Sequence, residues 1–374
     1  MPATPAEVRL MKRALALAAR ARGDVAHYPM VGCVAVINGR VIGEGWFRKP
    51  GEPHAEVHAL RAAGPAAQGA TLVLNLEPCS HFGKTPPCAD AVIAAGVKRV
   101  VAGMTDPNPL VAGKGFKKLK AAGIEVVTGV LEEECGELNR VFVKFITTRR
   151  PYVILKAGMT LDGKIATASG DSKWVTGEAA RTAAHRLRDE YQAVMVGAGT
   201  VRADDCALTV RAGKRHARVR HPRPVVVTSA LEIDLKSQVM QTPAEGGPIL
   251  FCTRAADKAR VASFRAAGAE VVVVKKDRAG RADLNAVMDE LGARKIASLL
   301  VEGGSALHGA LIDAGLVDEV VFFVAPRLLG GGVPVTGGTG PARVADGLAL
   351  GPIKMKKVGE DLMLTARVGV RAKH

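Results

Sequence analysis

The amino-acid sequence predicts two α/β domains in a single chain. Apolar strand patterns alternate with helical patterns along its length, which is typical of sheets covered by helices. The 374 residues are too many for one domain of ordinary size and suit two. A short polar and basic segment, 147–151, interrupts the pattern. We therefore expect one domain at 1–147 and a second at 148–374.

The first element is predicted to be an amphipathic helix. Thr4 can cap it, Pro5 suits the first helical position, and Glu7 completes a capping box. Apolar residues that include Met11 and Ala18 form one stripe along it. The stretch lacks the continuous apolar core of a secretory signal, so we expect a cytoplasmic protein.

Strands and helices then alternate through the rest of the first domain. An Asn-Gly turn predicts a hairpin between strands 31–39 and 41–47. A helix at 54–64 follows and stops at a glycine. The further predicted strands are 70–79, 99–104 and 124–130, and the further predicted helices are 86–97 and 116–123.

The second domain is predicted to form its own sheet and core. Short apolar runs recur between helical patterns, and no internal repeat is visible. The predicted strands are 152–157, 193–197, 224–228, 249–252, 271–274, 297–302, 319–325 and one near 361–367. The predicted helices are 178–190, 255–267, 283–292 and 305–314.

Composition excludes some classes of protein. An apolar content of 48% and a charged content of 24% are those of a globular protein, and no apolar run reaches the ~18 residues of a membrane span. Six cysteines in a chain of this length indicate free thiols or metal ligands rather than a disulfide framework. The net charge of +16 fits nucleic acid, anionic small molecules or simply a solvated basic surface.

Three side chains in the first domain have the chemistry of a zinc site. His54, Cys79 and Cys88 would supply one nitrogen and two thiolates, and catalytic zinc commonly has three such protein ligands and a water. The prolines before His54 and Cys88 place both at predicted helix starts, where positive potential favours thiolates. Glu56, in the first turn, can reach the water without being a ligand. The pattern therefore predicts catalysis rather than a structural metal.

The histidine and cysteine pattern also allows other interpretations. His58 lies four residues after His54, but the metalloprotease motif requires Glu directly after the first histidine, and Ala55 stands there. We interpret His58 as a packing or supporting residue and Cys33 as core. A zinc-stabilised scaffold with closed coordination remains a non-enzymatic alternative.

The cysteine spacing departs from the general motif of zinc nucleobase deaminases. That motif is His-x-Glu followed by Pro-Cys-x-x-Cys, whereas here eight residues, SHFGKTPP, separate Cys79 from Cys88. The longer segment would place His81 and Lys84 beside the metal, where a lysine suits a phosphate. Thr85 is interpreted as an ordinary loop residue.

Several motifs together resemble one known family. GEPHAEVHAL, LEPCSHFGKTPPC, DPNPLVAGKG, LKAGMTLDGKIA and VEGGSALHGALIDAGLVDE are similar, in the same order, to the bifunctional pyrimidine deaminase/reductases of riboflavin biosynthesis. The resemblance covers nearly the whole chain. It implies a cytidine-deaminase-like α/β/α sandwich, then a dihydrofolate-reductase-like α/β domain, with Zn²⁺, NADPH and a phosphorylated pyrimidine substrate. Tyr28 and Cys206 depart from the family, which has Asn and Pro there.

The second domain offers one phosphate-binding pattern of its own. A predicted strand ends at Glu302, two glycines form a turn, and a helix begins near Ser305. Such a turn could hold the phosphates of a dinucleotide or be a plain strand–helix connection. The stretch Gly197-x-Gly199 lacks the third glycine of a Rossmann motif.

The resemblance also implies site residues, by motif match. For the deaminase substrate they are His81, Lys84, Asp106 and Asn108. For the cofactor they are Met159, Trp174, Thr200, Asp204, Ser229, Gly304, Ser305, Ala306, Leu307, His308, Gly309 and Ala310. For the reductase substrate they are Ser172, Arg188, Leu208, Arg211 and Glu302, of which the two arginines would suit a sugar phosphate.

An alternative is a nucleic-acid deaminase of the tRNA type with a basic C-terminal binding domain. Such a domain would interleave aromatic and basic residues. Only 4% of residues are aromatic, and the basic run 211–223 contains none. We therefore expect a small-molecule substrate, no nucleic acid and no membrane, and we leave a homo-oligomer open.

Overall fold

A computed structural model describes residues 3–83, 85–109, 111–211 and 221–369. Its internal contacts divide the chain into two compact units, Met1–Arg149 and Arg150–His374. The division falls two residues beyond the predicted boundary because the last helix of the first unit runs through the polar segment to Thr148.

The first unit is a five-stranded sheet with helices packed on it. Its strands are β1 (Gly32–Ile37), β2 (Arg40–Trp46), β3 (Thr71–Leu76), β4 (Arg99–Met104) and β5 (Glu125–Val127). Its helices are α1 (Pro5–Ala18), α2 (Ala55–Ala63), α3 (Cys88–Ala94), α4 (Lys114–Ala121), α5 (Glu132–Leu138) and α6 (Arg140–Thr148). The sheet order is β2-β1-β3-β4-β5, with β1 antiparallel to β2 and β3, and with β3, β4 and β5 parallel.

Local sequence rules account for how α1 begins. The Thr4 hydroxyl accepts a hydrogen bond from Glu7 N at 3.2 Å, and Thr4 N donates to the Glu7 carboxylate at 2.7 Å. This reciprocal pair is the predicted capping box, and Pro5 occupies the first turn. Met11 and Ala18 are fully buried in the core, as the apolar stripe predicts.

Close packing brings α2 against the sheet edge and so positions its first turn. A side-chain Cβ at Gly45 of β2 would lie 2.4 Å from the backbone oxygen of Ala55. Only glycine allows this approach. The start of α2 is therefore held beside the sheet, close to the end of β3, and both carry candidate site residues.

The second unit has eleven described strands: nine form its main sheet, and the two short ones, 164–166 and 333–334, pair with each other. Its strands are β6 (Tyr152–Thr160), β7 (Lys164–Ala166), β8 (Ala193–Gly197), β9 (Arg223–Val227), β10 (Ile249–Cys252), β11 (Glu270–Val273), β12 (Ser298–Gly303), β13 (Glu319–Ala325), β14 (Val333–Pro334), β15 (Lys354–Val358) and β16 (Asp361–Arg367). Its helices are α7 (Glu178–Arg188), α8 (Ala198–Asp204), α9 (Lys258–Ala266), α10 (Leu284–Ala293) and α11 (Ser305–Asp313).

Strand order in this sheet creates a site at the carboxyl ends of its central strands. The order is β11-β10-β9-β8-β12-β6-β13-β16-β15; all neighbours up to β13 are parallel, and β16 and β15 add antiparallel pairs. The late strand β12 inserts between β8 and the first strand, β6. In open α/β sheets, ligands bind where the order of connection changes in this way.

The predicted elements differ from the observed ones mainly at weak patterns. The strand predicted at 70–79 ends at Leu76, because Glu77 to Cys79 leave the sheet to form part of a site. Helix α8 was not predicted because its glycine-containing sequence has low helix propensity. Strand β15 was not predicted either, because it is an exposed edge strand that is rich in lysine and lacks alternating apolar residues.

Candidate active sites

Three predicted metal ligands converge at the edge of the first sheet. His54 directly precedes α2, Cys88 begins α3, and Cys79 follows β3. His54 Nδ1 lies 3.1 Å from Cys88 Sγ and 3.6 Å from Cys79 Sγ, and the three ligand atoms lie within 4.8 Å of one another. Ligand atoms around one tetrahedral zinc ion are about 3.6–3.8 Å apart, from the Zn–N and Zn–S bond lengths. The trio therefore fits zinc.

Hydrogen bonding favours the thiolate form of Cys79, whereas the bond to Cys79 and burial raise the pKa of the Cys88 thiol. The backbone N–H of Cys88 donates to Cys79 Sγ at 3.3 Å. A hydrogen bond from the Cys88 side chain, with another from His54, lowers the pKa of the Cys79 thiol to about 4, against the opposing effect of burial. Cys79 is thus a thiolate at neutral pH, the form that coordinates zinc.

Glu56 is buried beside these ligands with an unused oxygen. The residue is 3% exposed, and its Oε2 atom has no hydrogen-bond partner in the described part of the chain. Burial, together with the negative charge of Cys79, raises the pKa of Glu56 to about 7. A buried carboxyl group rarely lacks a partner unless a ligand or function uses it. Glu56 is thus suited to exchange protons near neutral pH.

The imidazole of His54 is also held from its second nitrogen. Thr85 Oγ1 lies 3.4 Å from His54 Nε2. When Nδ1 binds a metal, Nε2 would carry the proton and could donate to Thr85, which would orient the ring. The interpretation of Thr85 as an ordinary loop residue is therefore incomplete. His58, by contrast, is not part of the trio, in agreement with the interpretation as a packing residue.

Two of the three ligands, His54 and Cys79, line a cavity of about 470 Å³, and Cys88 is buried behind them. The cavity lining includes Glu56 and the predicted substrate residues His81, Asp106 and Asn108. Lys84, also predicted to contact substrate, lies outside the described residues. The structure therefore brings the described members of this predicted site together around one space.

Aromatic rings form one wall of this cavity. The ring of Tyr28 lies 4.3 Å from His27 and 6.1 Å from Phe47, and Phe47 lies 5.3 Å from the ligand His54, centroid to centroid. All four residues line the cavity. A flat heterocycle can pack on such a wall by offset or edge-on contacts.

Two asparagines that sequence reasoning missed hold this wall in place. Asn139 Oδ1 accepts from Met30 N at 2.7 Å, and the side-chain amides of Asn75 and Asn139 both donate to Met30 O, at 2.9 and 3.0 Å. Asn75 Oδ1 also accepts from Gly32 N at 2.8 Å. Both asparagines are buried. The available signal was Asn75 itself, a polar residue inside an otherwise apolar strand.

Charged residues cluster at the carboxyl ends of the central strands of the second sheet. Glu302, at the end of β12, accepts from Arg188 Nε at 2.5 Å and Nη2 at 2.8 Å, and its Oε2 lies 3.3 Å from Lys156 Nζ. Lys156, on β6, was not predicted. It is a polar residue between buried strand neighbours, which was a usable signal.

The predicted reductase-substrate residues differ in their contacts with this cluster and in their exposure. Arg188 Nη1 donates to the backbone oxygen of Thr209 at 2.8 Å, which ties α7 to the 208–211 segment. Leu208 as a whole residue is only 1% exposed, so its contact with the substrate remains a prediction. Burial and the charges of Arg188 and Arg211 lower the pKa of His185 to about 4, which places Arg211 near the same group. Ser172 is half-buried.

The glycine turn after β12 meets Thr200. Gly304 has a left-handed φ of +88°, and a Cβ there would lie 3.1 Å from Thr200 Oγ1. The turn therefore needs glycine, and the structure brings two predicted cofactor residues together at the N-terminus of α11. This N-terminus is a favourable place for a phosphate.

The run 304–310 is only partly open to a ligand. Leu307, His308 and Gly309 are buried, whereas Ala306 is exposed and Ser305 and Ala310 are half-buried. A Cβ at Gly309 would lie 1.5 Å from Gly337 O, and His308 Nδ1 donates to Val335 O at 3.0 Å. The first turn of α11 faces outwards, and its second turn packs on the 335–338 segment.

The remaining predicted cofactor residues lie on separate elements. Trp174 is 62% exposed, with the Arg181 guanidinium 4.4 Å from its ring centroid. Asp204 is exposed at the end of α8, and Met159 pairs with Val324 of β13. Ser229 O accepts hydrogen bonds from Thr253. For these residues, cofactor contact remains a prediction.

Comparisons with known proteins match both units. The family described as RibD C-terminal domain matches residues 151–364, and the family described as cytidine and deoxycytidylate deaminase zinc-binding region matches residues 5–104. The riboflavin biosynthesis protein RibD of Actinobacillus pleuropneumoniae is 42% identical over 363 residues, covering 96% of this chain and 95% of the relative. That of Escherichia coli (strain K12) is 44% identical over 331 residues, covering 86% and 88%.

Solved structures agree over the full length. Acinetobacter baumannii RibD, form 1, is similar with a TM-score of 0.88 at 36% identity, covering 98% of this chain and 99% of the other. A diaminohydroxyphosphoribosylaminopyrimidine deaminase/5-amino-6-(5-phosphoribosylamino)uracil reductase from Thermotoga maritima has a TM-score of 0.80 at 34% identity, covering 97% and 99%.

These matches extend along both units, so the nucleic-acid deaminase alternative, which would explain only the first, is not favoured. Among the described helices, none is long and apolar enough to cross a membrane. The resemblance inferred from the motifs is confirmed, as are the fold class and the zinc and NADPH cofactors. The chain belongs to the RibD family of riboflavin biosynthesis enzymes, which join a zinc-dependent deaminase to an NADPH-dependent reductase.

Proposed function

We propose that residues 1–147 hydrolytically deaminate a phosphoribosylaminopyrimidine and that residues 148–374 reduce the ribosyl group of the product to ribityl. The name of the Thermotoga maritima relative includes both reactions. The observation that carries the proposal is the buried Glu56, which lines one cavity together with His54 and Cys79 and whose Oε2 has no hydrogen-bond partner among the described residues.

In the first site, His54, Cys79 and Cys88 would hold the zinc ion. Bound zinc lowers the pKa of water towards neutrality and so supplies the nucleophile. Glu56 takes the proton of the attacking water and delivers it to the amino group. The water oxygen bonds to the amine-bearing ring carbon, the carbon–nitrogen bond breaks, and ammonia leaves. A carboxyl group with a pKa of about 7 serves both proton transfers at neutral pH.

The cavity divides naturally between the two parts of the substrate. The pyrimidine ring packs against Tyr28 and Phe47, the second of which contacts the ring of the ligand His54. His81, Asp106 and Asn108, with Lys84, bind the phosphoribosyl part through hydrogen bonds and charge. In this orientation the amine-bearing carbon would lie beside Glu56.

In the second site, the protein orients two ligands. NADPH, when bound, supplies the hydride that opens the sugar ring. Gly304 and Ser305, at the start of α11, and Thr200 would bind its phosphates through backbone and hydroxyl groups. Arg188 and Arg211 would bind the phosphate of the substrate, with Glu302 fixing the direction of the Arg188 guanidinium.

We further propose that the enzyme acts in the cytoplasm and binds no nucleic acid. A phosphorylated small-molecule substrate accounts for the net charge of +16, because basic residues attract the anionic phosphate. The low aromatic content of 4% also speaks against stacking surfaces for single-stranded nucleic acid.

Glu56→Gln tests the proposal on one purified preparation. The amide keeps the shape but cannot take a proton, so we expect the variant to retain zinc and lose ammonia release by at least ~100-fold. NADPH oxidation with the deaminated intermediate should stay unchanged. The control is Glu133→Gln, an exposed glutamate on α5. Ammonia release at the normal rate by Glu56→Gln would overturn the assignment of the proton shuttle.

A further inference from the structure

One side chain beside the deaminase site has no role in the chemistry above. The carboxylate of Glu77 accepts four backbone hydrogen bonds. Its Oε2 accepts from Asp106 N at 3.1 Å and Gly113 N at 2.9 Å. Its Oε1 accepts from Gly115 N at 2.8 Å and Phe116 N at 3.4 Å. One carboxylate thus joins both ends of the 106–116 segment.

Burial makes this arrangement costly to break. Glu77 is 3% exposed. A buried carboxylate is tolerated when donors satisfy its oxygens, and charge-assisted bonds to backbone N–H groups are about twice as strong as neutral ones. Two of the four donors, Gly115 and Phe116, belong to the first turn of α4. Positive potential at that helix end adds to the binding of the carboxylate.

The glycines of the segment fit the same contact. A Cβ at Gly115 would lie 2.0 Å from Pro78 O and 3.0 Å from Glu77 Oε1. Gly113 has a left-handed φ of +75° just before α4. The sequence GKG at 113–115 therefore allows the backbone to approach Glu77 closely, which explains why this motif follows the Asp106–Asn108 stretch.

The held segment carries the substrate residues of the first site. Asp106 and Asn108 both line the cavity. Asn108 N donates to Asp106 Oδ1 at 2.8 Å, and the backbone oxygen of Asn108 accepts from Val111 N and Ala112 N at 2.9 Å. Internal bonds give the segment its shape, and Glu77 fixes that shape to the strand end from which Cys79 extends.

We infer that Glu77 is a positioning residue for the deaminase: it fixes the loop that carries Asp106 and Asn108 at a set distance from the metal ligands. The inference rests on the proposed binding role of Asp106 and Asn108. Glu77 also lines the cavity, but both of its carboxylate oxygens already accept backbone hydrogen bonds from the loop, so its role is to hold Asp106 and Asn108 rather than to bind the substrate. Its loss should therefore weaken substrate binding more than it slows the chemical step in bound substrate.

The test is Glu77→Gln in the full-length enzyme. The amide has one acceptor oxygen instead of two, and its NH₂ group faces backbone N–H donors. We expect the KM for deamination to rise by about tenfold or more while kcat changes by less than about threefold. Zinc content, and NADPH oxidation with the deaminated intermediate, should match those of the unchanged enzyme. Glu133→Gln serves as the matched exposed control.

A second variant covers the case in which Glu77→Gln fails to fold. Gly115→Ala leaves the carboxylate in place but pushes its Cβ against Pro78 O, so it displaces the loop by another route. It should give the same split between KM and kcat. An unchanged KM in a folded Glu77→Gln enzyme would overturn the inference; if that enzyme is unfolded, an unchanged KM in Gly115→Ala would do so.

Failure of the inference can be told apart from failure of the proposed function. Asp106→Asn and Asn108→Ala measure the substrate contacts directly. If neither raises the KM for deamination, the proposed binding role is wrong, and the inference falls with it. If both raise the KM and Glu77→Gln does not, the contacts stand and only the positioning role of Glu77 is wrong.

Discussion

Arg188 and Glu302 form a two-bonded ion pair at the centre of the second unit. Arg188 Nε and Nη2 lie 2.5 and 2.8 Å from the two carboxylate oxygens, and the two side chains are 11% and 6% exposed. Burial raises the pKa of Glu302, but the charges of Lys156 and Arg188 outweigh it and hold the pKa well below its usual range. The pair is thus fully charged at neutral pH and rigidly oriented.

Arg188→Lys should damage the reductase selectively. A lysine keeps the positive charge but cannot form two parallel bonds to Glu302 or to a phosphate. We expect the KM for the deaminated intermediate to rise by about tenfold or more, as the loss of a charge-assisted hydrogen bond implies. Ammonia release should not change. Arg186→Lys, on the exposed side of the same helix, is the control. Equal KM values in the two variants would refute the role of Arg188.

Gly309→Ala should weaken NADPH binding. Its Cβ would lie 1.5 Å from Gly337 O, so the 335–338 segment and α11 would have to separate. Fluorescence titration with NADPH should show a raised Kd, and thermal unfolding should show a lowered Tm for the second unit. Gly331→Ala is the control, because a Cβ there meets no described atom within 4 Å. Unchanged NADPH affinity in Gly309→Ala would show that the packing of α11 on the 335–338 segment does not affect cofactor binding.

The second unit should lose stability as the pH falls from about 6.5 to about 4. Burial lowers the pKa of His308 to about 4, and its Nε2 atom has no partner in the described chain. Below its ordinary pKa, the unfolded chain takes up a proton that the folded state does not. The contribution of His308 to the free energy of unfolding is therefore fully present above that ordinary pKa. It falls by on the order of 3 kcal/mol towards pH 4.

His308→Gln tests this origin of the pH dependence. The variant removes the titrating group, so urea unfolding of the second unit should depend less steeply on pH in this range. A shallower slope, not a zero one, is expected, because the pKa of His185 is also lowered to about 4. The same slope in variant and unchanged protein would show that His308 does not titrate as described.

Tyr28→Phe and Tyr28→Ala test the aromatic wall of the first cavity. If the ring packs against the pyrimidine, the phenylalanine variant should deaminate nearly normally. The alanine variant should have a KM raised by about three- to tenfold, which is the worth of one aromatic contact. Equal losses in both variants would mean that the hydroxyl, rather than the ring, contacts the substrate.

The sequence predicted those parts of the fold and site that depend on neighbouring residues. The capping box of α1 lies within four residues, and His54 with Glu56 lies in one helical turn. The convergence of Cys79 and Cys88 was predicted because one follows a strand, the other begins a helix, and zinc commonly binds cysteine thiolates. The position of Asp106 and Asn108 on the cavity was expected only through the family resemblance.

What could not be predicted are contacts between distant segments. Glu77 bonds to Gly113 across 36 positions, and Asn139 bonds to Met30 across 109. Periodicity carries no information about such pairs, because it reports only which face of an element is buried. The burial of His308 was missed for the same reason: α11 packs on a segment that follows it by more than 20 residues.

Zinc K-edge X-ray absorption of the purified enzyme tests the central claim most directly, that His54, Cys79 and Cys88 hold a zinc ion with one place left open. The account predicts two sulfur ligands at about 2.3 Å and two nitrogen or oxygen ligands at about 2.0–2.1 Å, one of them exchangeable water. A spectrum with four sulfur ligands, or with none, would contradict it.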